Sequence, residues 1–288
     1  MIPNVDNDSL VYLNGDLVRL GDAKISVLDR GFIFGDGIYE VVPAYRGKPF
    51  RIHEHLARLN RSLKKVRIDT GKSDAEWEHL LRSMLQRSGL ADCMAYLQVT
   101  RGVAKRDHGF PDEPCEPTIF CMVSPFARPD AHKREHGMSV VSMPDLRWLH
   151  CDIKSVSLLG NVLAKQFATD EGVDDVVQFR DERLSEGSSC NIWMVKDGVL
   201  CAPLRDEFIL EGIRYAFIQE LAEEAGIPFE ARTILRDEVE HADELMLSSA
   251  TKEILPITQY DGRAVGSGTP GPVYARLRAG YDAAIAAL

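Results

Sequence analysis

No stretch of this sequence is apolar for long enough to span a bilayer, so no transmembrane helix and no membrane partner are expected. The first ten residues, MIPNVDNDSL, carry neither a basic start nor an apolar run, and no secretory leader is expected there. Cysteine pairing signals are missing as well. The six cysteines (Cys93, Cys115, Cys121, Cys151, Cys190 and Cys201) are scattered, with no CxxC pair and no metal-ligand spacing. That pattern fits reduced thiols in a cytoplasmic protein without a metal site. Positive charge is short: 34 Lys and Arg against 44 Asp and Glu leave a formal net charge of −10, which argues against a nucleic-acid partner. Repeats and low-complexity tracts are absent. The Gly- and Pro-rich GSGTPGP at 266–272 lacks the Lys-Ser/Thr of a phosphate-binding P-loop and reads as a plain loop.

What is present is a chain of 288 residues, 45% hydrophobic with mixed charge, the profile of a soluble globular protein of one large or two ordinary domains. The pattern is mixed α/β. LVYLNGDLVRL is two short runs around Asn14-Gly15, a two-residue hairpin signal, and GIYEVVPAYRGKPFRI repeats it around Arg46-Gly47. HEHLARLNRSLKKVRI places Leu56, Leu59, Leu63 and Val66 at helical spacing, and DAEWEHLLRSMLQRSGL reads as a second helix capped at Asp74 and closed near Gly89. MAYLQVTRG and TIFCMVSPF read as strands, and the two prolines of SPFARPDA suggest a linker over 124–131. Beyond it, MSVVSMP, DDVVQFRD and NIWMVKDGVLCAP read as strands, NVLAKQFATDEG as a helix, IRYAFIQELAEEAGIPFE as a helix ended at Gly226, and ELMLSSATKEILPI as strand–turn–strand.

Four places carry candidate chemistry. Lys154 stands just before the apolar run Val156–Leu159, where an amine that loses its proton can attack an aldehyde; its ordinary reading is a lysine whose stem packs while its head stays in water. Glu186 precedes Gly-Ser-Ser, so a carboxylate and the hydroxyls of Ser188 and Ser189 meet at one turn. A carboxylate there suits a protonated pyridine nitrogen. Gly212-Ile213 opens a helix whose free N–H groups attract a dianion, the hydroxyl-rich turn at Ser249–Thr251 offers a second nest, and Arg58 on its helix has the fork that phosphate prefers. In QVTRGVAKRDHGFP, Arg106 and His108 are two apart, so in an extended segment they point the same way, toward one carboxylate or simply into solvent. Tyr39 follows a glycine-rich turn that can bring its hydroxyl to a cleft, or it is a plain strand tyrosine.

Taken together, DRGFIFGDGIYEVV, EHLARL, RWLHCDIKSVSLLGNVLAKQ, SEGSSCN and SSATKEILP stand in the order and spacing of the class IV (fold-type IV) pyridoxal-phosphate aminotransferases, which this chain resembles over roughly residues 10–260. The resemblance implies an α/β (α+β two-domain) fold with a small N-terminal α/β domain over 1–123, a linker over 124–131, and a larger C-terminal cofactor-binding domain with a pseudo-barrel over 132–288. It implies pyridoxal 5'-phosphate joined to Lys154 as a Schiff base, Glu186 on the ring nitrogen, and Leu210 against the ring with Ser188 and Ser189 at its edge. It also implies phosphate held by Arg58, by the helix start at Gly212, Ile213 and Arg214, and by the turn at Ser249 and Ala250. Arg106-x-His108, with Tyr39, resembles the carboxylate trap of the D-specific members. The expected reaction is therefore transamination between a D-amino acid, of the D-alanine and D-glutamate class, and 2-oxoglutarate or pyruvate. The alternatives within the same fold are a branched-chain L-amino-acid transaminase, an (R)-amine transaminase and an aminodeoxychorismate lyase. A homodimer is expected. Two positions depart from the pattern of the D-specific members, which has threonine where this chain has Arg214 and Ala250.

Overall fold

A computed structural model describes residues 5–113 and 115–288; residues 1–4, where the stretch read for a leader begins, and Pro114 lie outside the described residues. The chain forms two compact units. The first takes the chain up to Ala127, recovers Ile153–Ser157 and includes Leu288; the second takes Arg128–Asp152 and Leu158–Ala287.

The first unit is an antiparallel sheet of strands β1 (Leu10–Leu13), β2 (Asp16–Arg19), β3 (Gly37–Tyr45), β4 (Lys48–Pro49), β5 (Cys93–Thr100) and β6 (Thr118–Pro125), in the order β2-β1-β6-β5-β3-β4. Both expected hairpins form, with Asn14-Gly15 and Arg46-Gly47 at positive φ as two-residue turns demand. Helix α1 (Arg30–Phe34) precedes β3, and α2 (Ile52–Val66) and α3 (Asp74–Ser88) follow β4. Alternation along β5 sends Cys93, Ala95, Leu97 and Val99 to the core, where they join Leu56, Leu59 and Leu63 of α2 and Trp77 and Leu81 of α3. The cap of α3 is Ser73, one residue before the expected Asp74. Ser73 and Glu76 form a capping box, which satisfies two helix-start N–H groups where an Asp74 cap would leave one for water.

Ile153–Ser157 joins this unit because β3 has a vacant side. Beyond the reach of two-residue β4, the N-terminal half of β3 would leave its backbone groups bare. Tyr39 N–H donates to the Lys154 carbonyl (3.0 Å), Val156 N–H donates to the Gly37 carbonyl (3.0 Å), and Ile153 packs on the core. The approach is close at Gly35, at φ +66°, where a Cβ would come within 2.5 Å of Ser157 Oγ.

The second unit is a nine-stranded mixed sheet. Its strands are β7 (Met138–Pro144), β8 (Asp175–Arg180), β9 (Arg183–Leu184), β10 (Asn191–Lys196), β11 (Val199–Ala202), β12 (Phe229–Ala231), β13 (Glu244–Ser249), β14 (Glu253–Tyr260) and β15 (Arg263–Ala264). The order is β12-β11-β10-β13-β14-β7-β8-β9, with β15 on β14; β14–β7, β7–β8 and β11–β12 run parallel and the rest antiparallel. Five helices accompany it: α4 (Ala131–His136), α5 (Leu159–Asp170), α6 (Ile213–Glu224), α7 (Arg236–Glu240) and α8 (Pro272–Ala286). Strands β10 and β13 are buried along nearly their whole length, so they read as unbroken apolar runs. Helix α8 had no counterpart in the sequence reading. It starts at Pro272, where a missing N–H costs nothing, and its buried side mixes Val273, Leu277 and Ile285 with Tyr274, Arg278 and Tyr281, a face that shows no clean apolar stripe. All six cysteines are free thiols, five of them buried. Among the described residues no helix is long and apolar enough to cross a membrane, and no cluster of His, Cys, Asp or Glu is arranged to hold a metal.

Leu59 is fully buried at the centre of the first unit's core. Leu59→Ala should destabilise that unit by about 2–5 kcal/mol, the cost of lost burial plus a cavity. The expected readout is a lower apparent thermal midpoint, and a midpoint equal to wild type would move the core elsewhere.

Candidate active site

In the first unit, α2 buries two parallel stripes. One is the apolar Leu56, Leu59 and Leu63. Beside it, one residue earlier, runs a polar stripe of His55, Arg58 and Ser62, all buried. The polar stripe faces Glu40 of β3, itself 1% exposed. Arg58 grips both oxygens of that carboxylate, Nε to Oε1 at 2.7 Å and Nη2 to Oε2 at 2.8 Å, and His55 Nδ1 donates to Oε2 at 2.7 Å. Burial pushes the Glu40 carboxyl up, but the Arg58 guanidinium and His55 outweigh it and hold the group well below the usual carboxylate range. Arg58 is thus a buried, oriented cation, not a surface arginine.

Lys154 is half-buried next to this group. Its backbone N–H lies 3.4 Å from Ser62 Oγ, and its Nζ rests 4.1 Å from the centroid of the Tyr39 ring. Among the described residues no carboxylate pairs with that amine.

Arg106 and His108 are exposed on the loop after β5 and flank one ring: the Arg106 guanidinium lies 5.5 Å and the His108 ring 5.4 Å from the centroid of Phe34. The loop is held from behind. Buried Arg30 donates from Nη1 to the Asp107 and Gly109 carbonyls (2.7 and 3.2 Å) and from Nε to Asp36 Oδ2 (2.8 Å). Arg101 grips the same Asp36, at 2.8 and 2.9 Å, and stacks 3.7 Å from the centroid of Phe110. Burial raises the Asp36 carboxyl, and Arg101 with Arg30 reverse the shift and hold it low.

In the second unit, Glu186 is buried between β9 and β10. Its Oε1 accepts from Asn191 Nδ2 (3.0 Å) and Leu210 N–H (2.9 Å), and its Oε2 accepts from Arg147 Nη1 (2.5 Å). Arg147 is shared with Asp145, to which it donates at 2.9 and 2.8 Å, and Asp145 also accepts from Ser185 Oγ and forms an ion pair with Arg180. Burial raises Glu186 above its ordinary range, and Arg147 offsets this only in part. Burial also raises Asp145, but the two-pronged Arg147 contact outweighs it and brings that group down to about 2. One guanidinium therefore serves two acids unequally, and a further cation against Glu186 would lower the penalty on its charge.

Asn191 also donates to the Leu210 carbonyl (2.8 Å), and a Cβ at Gly212 would come within 2.2 Å of its Oδ1. Only glycine lets the backbone pass there, and it sets the start of α6, whose Gly212 cap supplies no side-chain acceptor to the first N–H groups. The fully buried Arg214 turns inward. Its guanidinium lies 5.8 Å from the Tyr281 ring centroid and reaches the Ala250 carbonyl at 3.5 Å. Ser188 is buried with its N–H on Asp175, and Ser189 is exposed. Ser249 and Ala250 open the β13–β14 turn, with Ser249 Oγ accepting from Lys252 N–H at 3.0 Å.

Of the residues singled out from sequence, Lys154 and Tyr39 stand together, as do Arg106 and His108, while Arg58 meets Glu40. In the second unit, Glu186 and Leu210 stand together, as do Arg214 and Ala250. Glu40, His55, Asp145, Arg147, Asn191 and Arg30 were missed. A signal existed for His55: polar residues at 55, 58 and 62 shadow an apolar stripe at helical spacing.

The family model described as Amino-transferase class IV matches residues 37–260. A D-alanine aminotransferase of Staphylococcus aureus is 40% identical over 272 residues, 94% of this chain and 96% of that protein. Among solved structures, the branched-chain amino acid aminotransferase of Escherichia coli has a TM-score of 0.91 at 26% identity, covering 96% of this chain and 94% of that one. A second branched-chain amino acid aminotransferase, solved with pyridoxamine 5'-phosphate, has a TM-score of 0.89 at 26% identity, with the same coverage. With the family model covering most of the chain and so similar a relative spanning nearly all of it, this protein belongs to the class IV aminotransferases.

Proposed function

We propose that this aminotransferase moves an amino group between a D-amino acid, of the D-alanine and D-glutamate class, and a 2-oxo acid, 2-oxoglutarate or pyruvate. The observation that carries this reading is the built loop on which Arg106 and His108 flank Phe34, pinned by Arg30. An arginine and a histidine presented together suit a substrate α-carboxylate. The likeness to D-alanine aminotransferases at 40% identity, against 26% for the branched-chain structures, supports the same choice.

Its cofactor is pyridoxal 5'-phosphate, and the residues present fit that group. An unpaired amine stands at Lys154, a fully enclosed carboxylate at Glu186, an uncapped helix start at Gly212, and a buried oriented guanidinium at Arg58. Lys154 would carry the cofactor and Glu186 its ring nitrogen, with Leu210, Ser188 and Ser189 along the ring. Arg58, the N–H groups of Ile213 and Arg214, and the Ser249–Ala250 turn would take its phosphate. When bound, the cofactor supplies an aldehyde for amines and an electron-poor ring that spreads the charge left on the substrate once its α-proton departs. The rest belongs to the protein. The Lys154 amine takes the proton from the substrate Cα and gives it back on the far side of the reaction. Arg106, His108 and Tyr39 fix the carboxylate, so that only one hand of substrate turns its Cα–H toward that amine. Glu186 would face the ring nitrogen, and a positive charge there would favour the ionised carboxylate that burial alone disfavours and Arg147 only partly restores.

The smaller N-terminal domain over 1–123, the linker over 124–131 and the larger domain over 132–288 belong to this reading, as does work in the cytoplasm, supported by six unpaired thiols. A homodimer is supported by apolar surface left bare within each unit: Val27 and Phe32 in the first, and Leu159, Val162 and Leu163 on one face of α5 in the second.

Three outcomes test the proposal. Borohydride reduction of the purified protein, followed by peptide mapping, should place the reduced cofactor on Lys154; Lys154→Ala should lose transamination by roughly 10²–10⁴-fold or more. Label on another lysine would displace it. Arg106→Leu should raise KM for D-amino and 2-oxo acids about ten- to a hundredfold, the loss of a charge-assisted contact, while the visible cofactor band persists. A substrate panel in which L-leucine outperforms D-alanine would favour the branched-chain reading. The third outcome concerns acid. Glu40 and Asp145 have depressed pKa values, so the stability they contribute is present above the unfolded carboxylate value of about 4 and is lost as pH falls below it, through about 2 for Asp145 and further down for Glu40. Glu40→Gln should lower the thermal midpoint at neutral pH and flatten its decline below about pH 4. An unchanged acid slope would place the lability at other carboxylates.

A further inference from the structure

Two segments assigned above to the cofactor lie at one end of the β10–β13 ladder: the hydroxyl loop at 186–190 leads into β10 and the turn at 249–252 leaves β13, and the ladder's last pair on that side is Asn191 with Ser248. Beyond that pair no backbone hydrogen bond joins the two segments among the described residues, so side chains must fasten them. Asp175, at the start of β8, is fully buried and faces both. Its Oδ1 accepts from Ser188 N–H (2.9 Å) and from Val176 N–H (2.8 Å). Its Oδ2 pairs with the ammonium of Lys252, the last residue of the turn, and Cys190 Sγ lies 3.7 Å from the same oxygen. Lys252 Nζ is 4.0 Å from that sulfur, and Lys252 N–H donates to Ser249 Oγ.

The turn is fixed from its other end as well. Ser249 pairs with Glu253 across the sheet, so Ala250, Thr251 and Lys252 are the three connecting residues. Glu253 sits at φ +55°, a left-handed conformation uncommon for a non-glycine residue, and its fully buried carboxylate is gripped by Arg128 (2.7 and 3.0 Å) and Arg278 (2.8 Å). The turn therefore hangs between two buried ion pairs. Such pairs add little net stability over an apolar replacement, and what they can supply is a single register.

We propose that the Asp175–Lys252 ion pair is a positioning strut that locks the β13–β14 turn to the Ser188 loop and thereby shapes the phosphate end of the cofactor site. This rests on the cofactor reading above. It makes Lys252 and Asp175 positioning residues, with no contact to the reacting atoms. It also gives the turn a fastening independent of the threonine hydroxyl that the pattern of the D-specific members carries and Ala250 lacks.

The test compares binding of pyridoxal 5'-phosphate and of pyridoxal, which lacks the phosphate, to apo-protein by absorbance titration. Lys252→Met should weaken pyridoxal 5'-phosphate about tenfold while pyridoxal affinity stays within about threefold, and Lys252→Arg should restore the preference. Because Lys252→Met leaves Asp175 buried without its cation, the double variant Asp175→Asn/Lys252→Met removes both charges. It should keep the wild-type thermal midpoint of the apo-protein and still lose the phosphate preference. A double variant with wild-type preference for the phosphorylated form overturns the strut, as does equal weakening of both ligands by Lys252→Met. Wild-type protein that fails to bind pyridoxal 5'-phosphate would instead sink the cofactor reading.

Discussion

Glu40 is the constraint around which the first unit is arranged. A carboxylate removed from water inside a sheet is tolerated only if cations and donors replace its hydration. Arg58 and His55 do so, and both must then come from the buried side of one helix. That requirement places α2 against β3 with a polar stripe turned inward. The same strand carries Tyr39, whose ring bears the Lys154 amine and whose N–H holds the Lys154 carbonyl. One strand, β3, thus positions the amine from its backbone and the arginine from a side chain one residue further on.

The second unit uses the same device with a different balance. Glu186 and Asp145 share Arg147, and the geometry favours Asp145, which takes both prongs of the fork. The consequence is a pair of acids with divergent proton affinities: Asp145 is secured as an anion, and Glu186 is left responsive to whatever cation stands beside it. In the first unit the acid is fully satisfied and the arginine is the product of the arrangement; in the second, the acid is.

Order in the loops comes from arginines that point backward. Arg106 and His108 are exposed, yet the segment carrying them is pinned by Arg30 and by Phe110 beneath Arg101. Exposed side chains on a fastened loop lose less entropy on engaging any ligand than the same side chains on a free one.

Much of this was legible from residues alone. The two hairpins were readable because Asn-Gly and Arg-Gly turns are local, helix α2 because its apolar residues recur at 3.6, and the start of α6 because a glycine precedes it. The family motifs, being contiguous strings, singled out Lys154, Glu186 and Arg58 as candidates without any fold. What residue order could not disclose were pairings across long separations: Glu40 with Arg58, Arg147 with Glu186, Asp175 with Lys252, and Arg30 with the loop some eighty positions later. Nor could it disclose that Ile153–Ser157 returns to the first unit, since the vacant edge of β3 exists only once the sheet is built. Periodicity and turn chemistry act between near neighbours and are written in sequence. The choice of partner for a buried charge depends on which groups folding brings within about 3 Å, and that is decided only in three dimensions.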